Sequence, residues 1–599
     1  MDARSALRVE AATPESSPSV SATSAQFDMM SKISEAYHHH KATSNMTWCR
    51  MAALGLVLFF TGLVAMKFSQ DTTSTGLMDY GQSGQKRKLV RAVTWNVAAI
   101  NNNPFEYWIT NDDPKYNQLM QNVSAFIQNP GVLDVEVQSI FTDEMFEQLA
   151  LQMTKVGWKG VNETRQHWQA DFSKRKIISG FVKDALLGKK RLASMPDRVT
   201  NTIHVSDGSS VMRPTVINCY EGDLGSLEQW WAQWLPFFFQ KSIDVNKDGK
   251  VESTQIYSML PSIKKSKYPD ITAEEEAISI PLQTLCMAIF DAIQVHMMEI
   301  VGRASWQPLR ADICAKLNRR KNDRTVEILG STYADADIQF LQEVAGNFKT
   351  FTANKAITGQ FDVHQSGSMD TERDQNSYIL LRKQKYTDVT EVTDQVQDFF
   401  TKSNNGSKLP LVNGDLLVLL VTDVADGTNY LLASFHGDTN GLATKPVVSA
   451  VRSYAVSQQP TSKLLFGLDA NTYAAPESDQ QGVTDFAKFY TDLKLNSCYG
   501  PTPNPLNFTT FHARTHLQPQ LNKAVTLEEK DIKGDKNPKD FVLFFDSDFK
   551  VLSTNKDNTG RKVYIENMVF PTLTFPSDHG ITSTVLLEQG LVTQYLKKG

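Results

Sequence analysis

The stretch ADADIQFLQEV, residues 334–344, decides the fold. It is a short apolar run that stops at a carboxylate, Glu343, and it reads as a strand ending in chemistry. Runs of the same texture lie on both sides: LVRAVTWNVAAI (89–100), VEILG (326–330), SYILLRK (377–383), LLVLLVTD (416–423), YLLASFHG (430–437), KLLFGLDA (463–470), DFVLFFDS (540–547) and ITSTVLLEQ (581–589). So many short strands predict a sheet core. Between Asn101 and Arg324 the pattern turns helical, with LEQWWAQWLPFFFQ (227–240) and LQTLCMAIFDAIQVHMMEIV (282–301) at helix-compatible spacing. This segment reads as an insertion whose Trp, Phe and Met residues form its own core.

Composition bounds the remaining choices. With 41% hydrophobic and 21% charged residues among 599, the chain is neither disordered nor collagen-like. Lys plus Arg number 61 against 66 Asp plus Glu, so no global field advertises nucleic acid and the partner has to be argued from a site. Five scattered cysteines (Cys49, Cys219, Cys286, Cys314, Cys498) contain no CxxC pair and make neither a zinc framework nor a dense disulfide scaffold.

Residues 1–50 read as a flexible tail rich in Ser, Ala and Thr, and 51–67 as a single transmembrane anchor. The run MAALGLVLFFTGLVAM (51–66) carries no charge and is bounded by Arg50 and Lys67, which extend a short span by snorkelling. Residues 68–88 form a stalk. The arrangement predicts a single-pass membrane protein with its large C-terminal part lumenal or extracellular, compatible with sequons at Asn122, Asn162, Asn405 and Asn507.

Several strands end or begin at polar residues suited to divalent-metal phosphate chemistry. Asn96 closes TWN, Glu343 closes IQFLQE, His436 closes LLASFH, Asp469 and Asn471 follow LLFG, Asp540 opens DFVLFF, and Asp578 and His579 sit in FPSDHG (575–580). A hard cation wants carboxylate oxygens, and phosphate hydrolysis wants an activated water, a proton handler and charge neutralisation. In this order the motifs resemble the endonuclease/exonuclease/phosphatase (DNase I-like) superfamily, with FLQEV and FPSDHG most similar to its nocturnin and deadenylase branch. The resemblance implies an α+β fold, a four-layer α/β sandwich of two packed sheets. It covers 89–103 and 326–599, leaving 104–325 as the helical insertion. It further implies that Asn96, Glu343 and Asp578 hold Mg²⁺ (or Mn²⁺), and that His436, Asp469, Asn471, Asp540 and His579 carry catalysis, Asp540 orienting His579. The family's GDxN appears as Gly467-Leu-Asp469-Ala-Asn471 with one residue inserted, while HGDTN (436–440) matches it formally; Asp438 and Asn440 are therefore read as candidate substrate-loop residues, with plain turn formers as the alternative.

Inside the insertion, DVNKDGKVESTQ (244–255) matches an EF-hand loop with Asp244, Asn246, Asp248, Lys250 through its backbone, Glu252 and Gln255 as calcium ligands, Gln255 standing where a bidentate Glu is usual. Weak Ca²⁺ binding is expected, with a structural Asx-rich turn as the alternative. The expected function is a membrane-anchored, Mg²⁺-dependent phosphoester hydrolase acting on nucleic acid, a nucleotide or a lipid. Alternatives are a sphingomyelinase-like lipid phosphodiesterase and a non-catalytic, calcium-responsive scaffold on the same fold.

Overall fold

The computed structural model describes residues 79–80, 86–247, 249–369, 373–511, 517 and 534–589. The tail at 1–50, the anchor at 51–67 and most of the 68–88 stalk lie outside the described residues.

Two six-stranded sheets form the core. The strands are β1 (Leu89–Asn96), β2 (Ile338–Val344), β3 (Phe361–Gln365), β4 (Asn376–Arg382), β5 (Tyr386–Glu391), β6 (Leu416–Asp423), β7 (Asn429–His436), β8 (Lys463–Asp469), β9 (Leu495–Ser497), β10 (Asp540–Phe545), β11 (Phe549–Asp557) and β12 (Ile581–Glu588). The first sheet runs β11-β12-β1-β2-β4-β3 and the second β5-β6-β7-β8-β10-β9. Each holds a parallel pair near its centre, β1 with β2 and β7 with β8, and the other pairings are antiparallel.

Strand alternation assigns the faces. Val90, Ala92, Ile338, Phe340, Leu432, Leu465, Val542 and Phe544 point between the sheets and pack on one another. The opposite faces are covered by helices. On the second sheet these are Thr393–Ser403, Thr444–Gln458 and Val483–Asp492, seated through residues such as Val396, Val447 and Phe486. On the first they include Lys321–Glu327, continuing through Ile328–Thr332, seated through Val326, Ile328 and Leu329. The result is a helix–sheet–sheet–helix sandwich. VEILG, expected as a strand, is therefore helical: it is the end of a crossover, and its apolar residues are needed on the outer face of the sheet.

Between β1 and β2 the chain builds the helical insertion around one core that runs from Phe105 to Ile313. Its helices include α1 (Pro114–Gln128), α2 (Asp143–Lys155), α3 (Leu227–Gln240) and α4 (Ser279–Gly302). α1, α2 and α3 begin at side-chain caps, Asp113, Thr142 and Ser226 respectively. α4 is long and apolar enough to cross a membrane, yet 72% of its most apolar window is buried inside the insertion, which fits a core helix. Its one buried carboxylate, Asp291, is held by Arg213 at 2.8 Å and by Trp234 of α3 at 2.9 Å. Cys219 and Cys314 form a disulfide with Cα atoms 5.6 Å apart, a pairing their spacing did not announce.

The expected EF-hand loop takes another form. Ser242–Lys247 and Lys250–Gln255 are an antiparallel hairpin with Lys247 opposite Lys250, so only two residues of sequence join the strands. Asp-Gly is a strong hairpin signal, and it prevails over the spacing of oxygens. Asp244 and Asn246 face one side with Ser253 and Val251, while Glu252 faces the other with Val245 and lies 3.6 Å from Lys247. Asp244, Asn246, Glu252 and Gln255 do not converge, Lys250 is spent in strand pairing, and Asp248 lies outside the described residues. The calcium reading, and with it the calcium-responsive scaffold, loses its basis.

Candidate active site

The site lies at the edge where strand alternation and register bring polar ends together. Asn96 shares parity with inward-facing Val90 and Ala92, and Asp540 with Val542 and Phe544. In the second sheet His436 pairs with Asp469, and Asp469 with Asp540. These side chains are thus the last inward positions of β1, β7 and β8 and the first of β10. Glu343 has the wrong parity for this column. Its positive φ of 53° breaks the alternation and turns the carboxylate in, a strain a non-glycine residue carries mainly at functional positions.

The contacts cross from one sheet to the other. Asn96 Nδ2 donates to Asp469 Oδ2 at 2.9 Å and to Glu343 Oε1 at 3.1 Å. Its Oδ1 accepts from the Ala98 amide at 2.8 Å, so in this geometry Asn96 orients two carboxylates, and direct ligation of a cation requires the amide to turn over. Glu343 Oε2 accepts from the Ala99 amide at 2.9 Å. His436 Nε2 lies 3.3 Å from Glu343 and 3.7 Å from Asp469. His579 Nδ1 lies 2.9 Å from Asp540 Oδ2, and its Nε2 is 3.6 Å from Asp469 Oδ2. Asn471 holds Asp469 through its backbone amide, 2.9 Å from Oδ1, in a left-handed conformation at φ 47°.

Burial alone would lower the pKa of His579, but Asp540 first and Asp469 next lift it to about 10, so the ring is an imidazolium at neutral pH. Burial would raise Asp469, yet His579 and His436 hold it below the ordinary carboxylate value. Burial pushes the Asp540 carboxyl up, opposed by His579.

Asp578 is half-buried and shares a cavity of about 400 Å³ with Glu343. Asp438 is used otherwise: it accepts from the amides of Asn440, Leu442 and Ala443, capping the turn before Thr444–Gln458, and Asn440 donates to Asp479 at 3.1 Å. Those bonds fit turn formers.

Sequence reasoning missed the supports. Ser577 Oγ donates to the Asn96 carbonyl at 2.7 Å and accepts from the His579 amide at 2.9 Å. Trp95 Nε1 donates to the His579 carbonyl at 2.9 Å and stacks on Phe575. Beneath the site, buried Gln342 reaches Ser434 of the other sheet at 3.1 Å and Thr94 at 3.2 Å. A buried polar residue with inward parity in an apolar strand is the signal that would have found it. Lys321, from the helix at the end of the insertion, is 4% exposed and donates to the Pro576 carbonyl at 2.8 Å. Burial brings its pKa down to about 8 against the pull of Asp578 and Glu343.

Ligand atoms of Glu343, His436 and Asp469 lie within 4.8 Å of one another, as do those of Asp469, Asp540 and His579. Each set offers two carboxylates, the donor chemistry a hard divalent cation takes.

A family model described as a domain of unknown function, DUF8234, matches residues 134–311, wholly within the insertion. No curated protein matches the chain. Similar solved structures include the human nocturnin catalytic domain with bound sulfate, at 14% identity over 46% of this chain and 89% of that one with a TM-score of 0.30. A functionally unknown conserved protein from Enterococcus faecalis V583 follows at 14% identity over 46% and 94%, TM-score 0.29. An endonuclease/exonuclease/phosphatase from Bacteroides vulgatus is similar at 15% identity over 46% and 94%, TM-score 0.29.

Proposed function

We propose that this protein is a Mg²⁺-dependent (or Mn²⁺-dependent) phosphoester hydrolase of the endonuclease/exonuclease/phosphatase type, tethered to a membrane through residues 51–67. The observation that carries the reading is the bridge between sheets: Asn96 and Glu343 from one, His436, Asp469 and Asp540 from the other, with His579 closing the ring. Asp469, kept ionised by two histidines, takes a proton from the attacking water. His579 carries its Nδ1 proton on Asp540 and turns the Nε2 proton toward the charge that builds on the phosphoryl oxygens. Glu343 and Asp578, with Asn96 beside them, would hold the cation, which when bound supplies Lewis-acid polarisation of a phosphoryl oxygen.

Alanine at Glu343, Asp578 or His579 is expected to lower turnover at least about a hundredfold. Near-normal rates in all three would sink the assignment. His436→Ala should damage activity far more than Asp438→Ala, since His436 faces Glu343 and Asp438 caps a turn.

A lumenal or extracellular active site is part of the proposal, and the Cys219–Cys314 disulfide supports it because such bonds persist in oxidising compartments. Asn162 and Asn405 are exposed, whereas the Asn122 amide donates to the Val301 carbonyl at 3.0 Å. Glycosidase-sensitive mobility should therefore map to Asn162 and Asn405 first. Protease access to the folded domain in sealed microsomes would reverse the topology.

A further inference from the structure

The cavity that holds Glu343 and Asp578 has its far wall in the insertion. Ile109, Ile313, Leu317 and the Cys219–Cys314 disulfide line it on that side. The wall is fixed in place, because the disulfide closes the insertion and Asn318 donates to Asn102 in the loop that follows β1. At about 400 Å³ the space matches a small-ligand site, which commonly measures roughly 300–1,000 Å³. It is mostly apolar on the insertion side and charged at the site edge.

Lys321 is the one cation among the described residues that line this space. It is 96% buried, being 4% exposed, and an ammonium has three donors. Among the described residues it makes one hydrogen bond, to Pro576, and no ion pair. A buried ammonium with donors unused is costly unless something anionic meets it. The two carboxylates lie on the same cavity, so a phosphate held between a cation on Glu343 and Asp578 and the Lys321 amine would have charge compensation on both sides.

Resting on the hydrolase reading, we propose that this cavity is the substrate pocket, that Lys321 binds the phosphoryl oxygens, and that the substrate is a compact phosphoester whose leaving group lies against the apolar insertion wall. Lys321 is here a binding residue. The insertion is then the element that sets substrate size.

The test uses the full chain with Mg²⁺, inorganic phosphate as calorimetric probe, and p-nitrophenyl phosphate, bis-p-nitrophenyl phosphate and a single-stranded oligonucleotide as substrates. Lys321→Met should weaken phosphate binding at least about tenfold and raise KM more than it lowers kcat, while Lys321→Arg should stay within about threefold of wild type. Unchanged phosphate binding in Lys321→Met overturns the proposal. Should that variant fail to fold, Leu317→Trp decides: a raised KM for the small esters supports the pocket, and an unchanged KM overturns it. Oligonucleotide hydrolysis that outpaces the small esters and ignores Leu317→Trp overturns the compact substrate class. Phosphate binding that depends on Lys321 without hydrolysis of any substrate supports the anion site and removes the hydrolase reading instead.

Discussion

Gly467 on β8 faces the space between the sheets, directly against Phe340 on β2, two residues before Asp469. A Cβ added there would lie 2.3 Å from Phe340 Cγ and 2.4 Å from its Cβ and Cδ2, where ordinary contact begins at 3.4 Å. Of those atoms Cβ is fixed to the backbone, and Cγ and Cδ2 can move only by a change of χ1 in the packed space between the sheets. The sheets must therefore part by about 1 Å, the difference between 2.3 and 3.4 Å. Overpacking of this kind costs about 1–3 kcal/mol of stability. Because the Asn96–Asp469 bond of 2.9 Å joins one sheet to the other, the same displacement breaks it, and a misplacement of about 1 Å can cost about a hundredfold in rate. Gly467→Ala is thus expected to lower both the denaturant midpoint and kcat/KM. Phe340→Ala removes two of the three clashing atoms and opens a cavity that the new methyl partly fills. The double variant should accordingly be at least about 1 kcal/mol more stable than the sum of the singles, with activity partly recovered, measured by denaturant unfolding and steady-state kinetics. Additivity within about 0.5 kcal/mol, with kcat/KM unmoved in Gly467→Ala, would refute the argument that sheet spacing sets the site.

Asp540→Asn should drop the His579 pKa well below about 10, because the largest upward influence is gone while burial remains. The raised value contributes stability that is fully present below pH 6.5 and lost as pH rises through about 10, so wild-type unfolding free energy should fall across that window and the variant's should not, as read by denaturant melts and imidazole NMR. Breaking the disulfide with Cys219→Ser and Cys314→Ser, or by reductant, should destabilise by about 2–5 kcal/mol, seen as a lower unfolding midpoint; no change would mean the bond closes nothing that folding has to order. Millimolar Ca²⁺ should leave the melting temperature of the full chain unchanged, and Gln255→Glu should confer no binding, since the hairpin puts Asp244 and Glu252 on opposite faces; a calorimetric Ca²⁺ isotherm in either would restore the EF-hand reading.

The sheet core was legible because its strands announce themselves as short apolar runs that end in polar residues, from TWN at Asn96 to LLFGLD at Asp469. Their convergence came from the resemblance to the superfamily, and register shows how period-two alternation brings the ends together. What stayed hidden depends on register or on positive φ. The motif named Glu343 as a site residue, but that its carboxylate turns in through a left-handed φ was not legible, since no composition rule reveals that a strand breaks its alternation at one residue. Ser577 and Trp95 act through backbone carbonyls of distant residues, so their importance exists only once β1 and the FPSDHG loop are adjacent. Asp244–Gln255 differs for another reason: its oxygens have EF-hand spacing, but an Asp-Gly dipeptide lies between strands that pair in register, and a two-residue connection sets strand register more strongly than scattered ligands set a loop.

The place of the insertion follows from the same topology. β1 and β2 are parallel neighbours, Asn96 lying opposite Gln342, and a parallel pair cannot be joined by a tight turn. The connection has to leave from the C-terminal end of β1, which is the end that carries Asn96 and the site, and return to the opposite end of the sheet to start β2 at Ile338. A domain placed in that crossover therefore begins at the mouth of the site and has to descend along the outer face of the first sheet. The described chain does both. Residues just after Asn96 line the cavity, the insertion core begins at Phe105, and the segment from Lys321 to Thr332 packs down on the sheet through Val326, Ile328 and Leu329. Lys321 stands at the top of that descent, where the crossover leaves the insertion and meets the FPSDHG loop at Pro576. An insertion in a hairpin at the far end of the sandwich, such as the β6–β7 turn at 424–428, would have had no route to the substrate; one in the β1–β2 crossover cannot avoid it.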